Sequence, residues 1–271
     1  MKFATHLLLF NQDKWLLRSI DLIGNYVDKI YISYSELPWI YNPNARKIYK
    51  NSINLDILNN SKFINKIELI KGEWDFEEDQ RNCCLNKARK DDNDFLFIID
   101  TDEFYFYNDI ENIINSIELN INFDYYTTPW ITFWKSFDYV VSQYDGSLIN
   151  GFPEIAINLR SGSKFVSKRK PLGEKVKQLN YLCYHASYVL NDEECLCKIN
   201  TWGHTNDFNK EKWYKEKWLH WNQNTTHLHP INKELWYKAI KFNGDLPEII
   251  SDLKNNIDVK EYTMKKWFFI K

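Results

Sequence analysis

The sequence predicts an α/β fold: a mixed sheet flanked by helices over residues 1–205, with a helical extension over residues 206–271 packed on it. Two observations carry this. Over the first hundred residues, apolar runs of strand length alternate with segments of helical periodicity, which implies parallel pairing and a sheet covered on both faces. The second half then changes to β-branched and aromatic clusters, followed by Trp-rich helical spacing.

The elements follow in order. Phe3 to Phe10 is a continuous apolar run, the pattern of a strand buried on both faces. Trp15, Leu16, Ile20, Ile23 and Tyr26 recur at helical spacing, and Gly24 marks a stop. Lys29 to Tyr34 is a second strand, ending in the turn Ser35-Glu36-Leu37-Pro38. A third, Ile67 to Ile70, closes at Gly72. Glu77 to Lys90 reads as a helix, with Asp75 as N-cap and Glu78 three residues on. Asp94 to Ile99 is a fourth strand. Beyond it, Tyr125 to Arg160 is strand-rich, with turns at Asp145-Gly146 and Gly151. Ser161-Gly162-Ser163 reads as a hairpin turn between Ile155–Asn158 and Lys164–Val166, and Lys210 to Lys241 as helical. Doubly covered sheets bind ligands at the carboxyl ends of their strands. Residues just after Phe10, Tyr34, Ile70 and Ile99 are therefore expected on one edge.

Composition narrows the function classes. The chain has 271 residues, 44% hydrophobic and 17% aromatic, enough for one large domain or two small ones. With 11 Trp, 17 Tyr and 17 Phe, it is far too aromatic for a disordered chain. A net charge of -2 disfavours a generally basic nucleic-acid binder. No apolar run approaches the roughly 18 residues of a spanning helix, so membrane insertion is not expected. The five cysteines, Cys83, Cys84, Cys183, Cys195 and Cys197, form no C-x-x-C pair, so neither zinc nor a disulfide framework is signalled. The run to Phe10 meets Asn11-Gln12-Asp13-Lys14 without a small-residue cleavage site, so it reads as a strand rather than a signal peptide. The expectation is a reduced, cytoplasmic protein. The abundance of Asn, Ile and Lys suits an AT-rich genome, and the location is then host cytoplasm if the source is a phage or virus.

The strongest chemical signal is Phe97-Ile98-Ile99-Asp100-Thr101-Asp102-Glu103-Phe104, an apolar strand running into three acids. In extended geometry Asp100 and Asp102 point to the same side. Two such carboxylates repel each other unless a cation lies between them, and Mg2+ or Mn2+ takes oxygen ligands and shares them with phosphates. The plain alternative is a strand ending in a solvated acidic turn. Upstream, Arg81 is a lone base in the acidic stretch Glu73 to Asn82, placed to orient Asp100 or hold a diphosphate; a surface salt bridge to Glu77 or Glu78 is its plain reading.

The strand ending at Asn11, the Asp79-Gln80-Arg81-Asn82 helix and the Ile99-Asp100-Thr101-Asp102-Glu103-Phe104 element together resemble a GT-A glycosyltransferase, of the family 2-like enzymes with an "IDxDEF" motif. Tyr184-His185-Ala186-Ser187-Tyr188, Lys198-Ile199 and Trp202-Gly203-His204 resemble the "H-x-S-y … K-i … f-x-H" stretch of family 17-like N-acetylglucosaminyltransferases. The resemblance spans roughly residues 3 to 205. It implies a GT-A-like, Rossmann-like sheet holding a nucleotide-sugar. Asp102 would ligate Mn2+ or Mg2+, with Asp100 on ribose or metal-bound water. His185 or His204 would complete the metal shell; a packed core histidine and a surface one are their plain readings. Lys198 would neutralise the departing diphosphate. Asn11, Ser35 and Arg81 fall in the donor-binding region. Where many family 2 enzymes carry an Asp pair for uridine, this chain has Ser33-Tyr34-Ser35-Glu36-Leu37-Pro38-Trp39. Tyr34 or Trp39 would stack on the base instead, with a UDP-sugar the favoured donor.

Among the aromatics of Thr128 to Lys135, Trp130 suits a sugar platform, although core packing is the ordinary role of such residues. Glu154 and Asp138 are candidate bases for an acceptor hydroxyl. Lys164, Lys168, Arg169, Lys170, Lys175 and Lys177, against the single acid Glu174, form a basic loop that either closes over a diphosphate or is simply solvated. His227-Leu228-His229-Pro230 reads as a turn opening a helix. The leading expectation is a metal-dependent transferase moving a sugar to a glycan or other hydroxyl acceptor, with DNA involved only as an acceptor. Nucleotidyl or phosphoryl transfer by the same carboxylates, and a non-catalytic carbohydrate-binding protein, are the rivals.

Overall fold

The structure, a computed structural model, describes residues 1–11 and 13–254. Strands and helices are labelled in chain order. Seven strands build the main sheet: β1 (Phe3–Leu9), β2 (Lys29–Tyr34), β3 (Ile67–Lys71), β4 (Phe95–Ile98), β6 (Tyr125–Thr127), β9 (Glu154–Asn158) and β12 (Val176–Gln178), ordered β12-β6-β9-β4-β1-β2-β3. The stretch β4-β1-β2-β3 is parallel, and β9 runs antiparallel to both β4 and β6. A second sheet of β5 (Glu103–Phe104), β7 (Trp130–Trp134), β8 (Ser136–Ser142), β13 (Cys183–Tyr188) and β14 (Lys238–Lys241) is ordered β14-β8-β7-β13-β5. A small hairpin joins β10 (Phe165–Ser167) to β11 (Lys170–Pro171). The helices are α1 (Leu16–Ile23), α2 (Pro43–Ile48), α3 (Glu77–Lys90), α4 (Tyr107–Leu119), α5 (Asp192–Thr201) and α6 (Lys210–Trp213).

Strand side chains alternate between two cores, as a two-residue period requires. Phe3, Leu7, Leu9, Phe95, Phe97 and Ile99 pack with Leu16 and Ile20 of α1 and Ile110 and Ile113 of α4. Ala4, Leu96 and Ile98 pack on the other face against Cys84, Leu85 and Ala88 of α3. Covering both faces is what allows strands this uniformly apolar. The fold is thus the mixed α/β sheet flanked by helices that the sequence predicts. Gly24 caps α1 as expected, and a side chain there would collide with the Phe63 ring.

Four local expectations are corrected. The N-cap of α3 is Phe76 rather than Asp75; the Asp79 carboxylate accepts its N–H at 3.1 Å. Ser161–Ser163 does not turn a β9–β10 hairpin. Both edges of β9 are taken by β4 and β6, so β10 pairs with β11. The helical reading of Lys210–Lys241 holds only to Leu219, as α6 and the wider turn Tyr214–Leu219. Lys238–Lys241 is instead β14, an edge strand beside β8, so the His227–Pro230 stretch opens no helix. Residues 255–271 of the expected extension lie outside the described residues. No helix among the described residues is long and apolar enough to cross a membrane.

Candidate active site

The parallel strands β1, β2 and β4 end along one edge, as expected. A cavity of about 810 Å³ opens there, lined by Asn11, Ser35, Trp39, Asp100, Asp102 and, from β13 and α5, by His185 and Lys198.

The acidic element does not stay extended. Residues 100–103 form a tight turn in which Glu103 N–H donates to the Asp100 carbonyl at 3.1 Å, and Asp100 N–H donates to Glu103 Oε2 at 3.2 Å. The turn sends the two aspartates to different cations, which resolves their repulsion without a shared ion. Arg81 donates to Asp100 at 3.0 Å, and Arg169 reaches Asp100 at 3.3 Å and also pairs with Glu103. Burial alone would raise the Asp100 pKa, but the two guanidiniums hold it well below the usual carboxylate range. Glu103 is pushed up by burial and by the neighbouring Asp100 charge, against the pull of Arg169. Asp102 faces Lys198 Nζ at 3.5 Å and His185 Nε2 at 3.8 Å.

Helix α3 organises this end of the cavity through four consecutive residues. Asp79 closes its N-terminus. Gln80 donates to Ser33 of β2 and accepts from Trp39 Nε1 at 2.8 Å, fixing the indole at the cavity wall. Arg81 takes Asp100. Asn82 makes two 2.9 Å hydrogen bonds with the Phe165 backbone. Together with Glu78, which accepts Lys168 N–H at 2.9 Å, Asn82 holds the β10–β11 hairpin against the helix. The hairpin tip thereby delivers Lys168 and Arg169 into the cavity. On the facing wall, Asn191 and Glu194 form a reciprocal cap on α5. Lys198, two turns further on, donates to Ser187 Oγ at 2.7 Å.

The structure brings together Asn11, Ser35, Trp39, Arg81, Asp100, Asp102, Trp130, His185, Lys198 and His204 around the cavity. Tyr34, Asp138 and Glu154 are not among the lining residues. Tyr34 ends β2 packed against the core. Asp138 bonds Ser136 within the second sheet. Glu154 starts β9 and offers Arg169 its backbone carbonyl. The Asn11 amide is committed to the loop at residues 50–52 and to Cys197. The ring nitrogens of His204 engage Lys168 and Asp207. Arg169, Gln80 and Asn82 also build the site, and their only signal in the sequence is position: Arg169 within the basic run, the other two beside Arg81.

No family model matches the chain, and no curated protein matches it in sequence. Many solved structures are similar to it in part, three of which illustrate the likeness. S. aureus TarS 1-349 is 12% identical, covers 81% of this chain and 79% of its own, with a TM-score of 0.45. A Desulfovibrio desulfuricans G20 protein described as a nucleotide-diphospho-sugar transferase is 11% identical, covers 69% and 83%, with a TM-score of 0.37. HddC from Yersinia pseudotuberculosis, complexed with GMP-PN, is 11% identical, covers 72% and 96%, with a TM-score of 0.43.

The donor set can be tested for a cation. Among the described residues no group of three or more His, Cys, Asp or Glu side chains is arranged to hold a metal alone. The His185–Asp102 contact, 3.8 Å apart, is the place where one would fit. Thr132 Oγ1 donates to Asn150 Oδ1 at 3.0 Å, and Asn150 Nδ2 in turn donates to Leu148 O. Thr132 can therefore only accept from His185 Nδ1–H at 3.3 Å. That tautomer leaves a bare lone pair on Nε2 facing the Asp102 carboxylate. Burial keeps the ring neutral by pushing its pKa down to about 4. Two acceptors facing each other repel unless a cation joins them. Trp130 stacks flat on this imidazole, with ring centroids 4.3 Å apart, and fixes its plane. Asp100 Oδ1 is a further buried oxygen with no partner among the described residues. His185 Nε2 and Asp102 are two donors, a set that fits a divalent ion where phosphate oxygens complete its shell.

Proposed function

We propose that this protein is a GT-A-like glycosyltransferase that moves a sugar from a nucleotide-sugar, with a UDP-sugar favoured, to a glycan or other hydroxyl acceptor, using Mn2+ or Mg2+. The observation that carries the reading is the placement of His185 Nε2 3.8 Å from Asp102, with Lys198 3.5 Å from the same carboxylate, at the carboxyl edge of parallel strands. Asp102 and His185 would hold the ion, which when bound supplies positive charge to the donor diphosphate. The rest falls to this chain's own side chains. Trp39, held by Gln80, offers a face for the base. Lys198 and Lys168 stabilise the charge that develops on the leaving diphosphate as the anomeric C–O bond breaks. Arg81 and Arg169 keep Asp100 ionised. The acceptor hydroxyl forms the new bond, and its proton passes to a base lining the cavity, a position that neither Asp138 nor Glu154 occupies.

The test is donor hydrolysis with a panel of nucleotide-sugars in Mn2+, Mg2+ or EDTA. Nucleotide release from one donor is expected in metal and not in EDTA. Asp102→Asn should lower it on the order of a hundredfold or more. Pyrophosphate release from a nucleoside triphosphate instead would reassign the site to nucleotidyl transfer. If no UDP or GDP thermal shift appears with Mn2+, the reading fails.

A further inference from the structure

Residues 164–177 carry six basic side chains, Lys164, Lys168, Arg169, Lys170, Lys175 and Lys177, against one acid, Glu174, in a chain of net charge -2. The β10–β11 hairpin sorts them by strand alternation. Phe165 lies opposite Pro171, and both are buried, Phe165 in the core against α3. Lys164 and Val166 flank Phe165, and Lys170 and Leu172 flank Pro171, so these four share the outward face. Leu172 N–H donates to the Lys164 carbonyl at 2.7 Å, which carries the pairing one residue past β11. The tip residues Lys168 and Arg169 line the cavity, and none of the outward four does.

The outward face is apolar and basic at once. Val166 is 45% exposed and Leu172 57%. Lys164 and Lys170 have no acidic partner among the described residues, and neither has Lys175 further along. Two acids that pack beside this segment already have backbone donors. Asp124 accepts the N–H groups of Glu174 and Lys175 at 2.9 and 3.0 Å, and Glu78 accepts that of Lys168. Beyond Leu172 the chain enters β12, the outermost strand of the main sheet, where Val176 is 40% exposed between Lys175 and Lys177. Lysines beside an edge strand ordinarily guard it against pairing. That use does not call for Val166 and Leu172 in water. A soluble polyanion would take the ammoniums and leave both apolar side chains wet. An apolar protein face would cover them and strand the ammoniums. A lipid interface takes both: the apolar side chains enter at the headgroup boundary, and the lysine stems lie along them with their charges on the phosphates.

We propose that the outward face of this hairpin, Lys164, Val166, Lys170 and Leu172, seats the protein on an anionic lipid surface. The seat does not depend on the glycosyltransferase reading, and its test needs no nucleotide. Because the same hairpin supplies Lys168 and Arg169 to the cavity, the seat and the site share one element. The full chain is sedimented at low salt with vesicles of phosphatidylcholine alone, or of phosphatidylcholine and phosphatidylglycerol in equal parts. Binding is expected to the anionic vesicles and not to the neutral ones. The chain as a whole is negative, so such binding reports a local basic face. Lys164→Gln combined with Lys170→Gln should weaken it on the order of tenfold or more, the effect of removing two charges near such a surface. Leu172→Ser should weaken it about threefold or more with no change of charge. These positions are exposed, and an unchanged Tm shows that each variant keeps the fold. Val166→Ser, on the other strand, is the second apolar probe should Leu172→Ser unfold. Equal binding to both vesicles, binding to neither, or binding unaffected by the lysine variant overturns the proposal. Loss in the lysine variant with no change in either serine variant assigns the face to a soluble polyanion and overturns the lipid seat.

Discussion

Arg169 joins more of the site than any other side chain. It pairs with Asp100 and Glu103 and donates to the carbonyls of Ile98 and Glu154. Removing one partner of such a buried network leaves charges uncompensated, which costs about 3–5 kcal/mol. Arg169→Leu is therefore expected to lower the unfolding free energy measured in urea by about 3–5 kcal/mol. Arg169→Lys should recover little, because an ammonium cannot reproduce the planar fork. An unfolding curve for Arg169→Lys within about 1 kcal/mol of the parent's would contradict this. Lys135 shows a different residue-scale effect. It has a left-handed backbone, and its ammonium lies 3.6 Å from the Trp218 ring centroid and 3.5 Å from Asp192. Burial pushes its pKa down from 10.5 to about 8, against the pull of Asp192 and Cys195. Below about pH 8 the folded protein carries a disfavoured charge, a cost of about 3 kcal/mol. Between about pH 8 and 10.5 the unfolded chain holds the extra proton, so stability contributed by this group rises with pH. Lys135→Met should thus be the more stable protein at pH 7, and the difference in Tm should shrink from pH 8 upward. A constant difference would remove this account. Asp100, Asp102, Arg81 and His185 were legible in the sequence because their chemistry is carried by residue type and a short motif. Arg169 was not, because a basic loop looks the same whether it dissolves in water or folds inward.

At the scale of elements, the D-x-D turn and α3 act as one unit. The expectation of two carboxylates on one side failed because strand geometry stops at Ile98 and residues 100–103 turn. Each aspartate thereby acquires its own cation. The α3 sequence Asp79-Gln80-Arg81-Asn82 spends four successive residues on four directions, which a helix permits at about 100° per residue. Its partners, Phe76, Ser33 with Trp39, Asp100 and Phe165, are scattered over the chain, so only the arginine's role was readable locally. Asn82 supplies a test of the hairpin it grips. Asn82→Ala removes both bonds to the Phe165 backbone and strands a buried N–H and C=O, at a cost of about 1–3 kcal/mol. Because the same hairpin presents Lys168 and Arg169, the KM for the nucleotide-sugar should rise as well. Asn82→Asp, which keeps the acceptor for Phe165 N–H, should fall between Ala and the parent. A lowered Tm with an unchanged donor KM would show that the hairpin holds the fold but not the donor.

At the scale of the whole molecule, two sheets share one core, and the cavity lies where they meet. Phe133, Phe137 and Ala186 of the second sheet pack with Leu7, Leu9 and Phe97 of the first. The sequence showed the first sheet through its local periodicity. The second was hidden, because β14 joins β8 across about a hundred residues, with Ile240 opposite Val140. Trp236, Tyr237 and Ile240 mimic helical spacing only when that pairing is ignored. The same pairing sets what the C-terminal residues are for. Trp134 and Tyr188, both essentially fully buried, are enclosed by Trp213, Trp218 and Trp236. A chain ending at Thr205 would bare this aromatic cluster and free the β8 edge, a combination that favours association over folding. It is expected to elute as aggregates, to bind a hydrophobic dye, and to lose the near-ultraviolet dichroism of the packed indoles. A monomer of residues 1–205 with cooperative unfolding would instead make the C-terminal segment an independent addition.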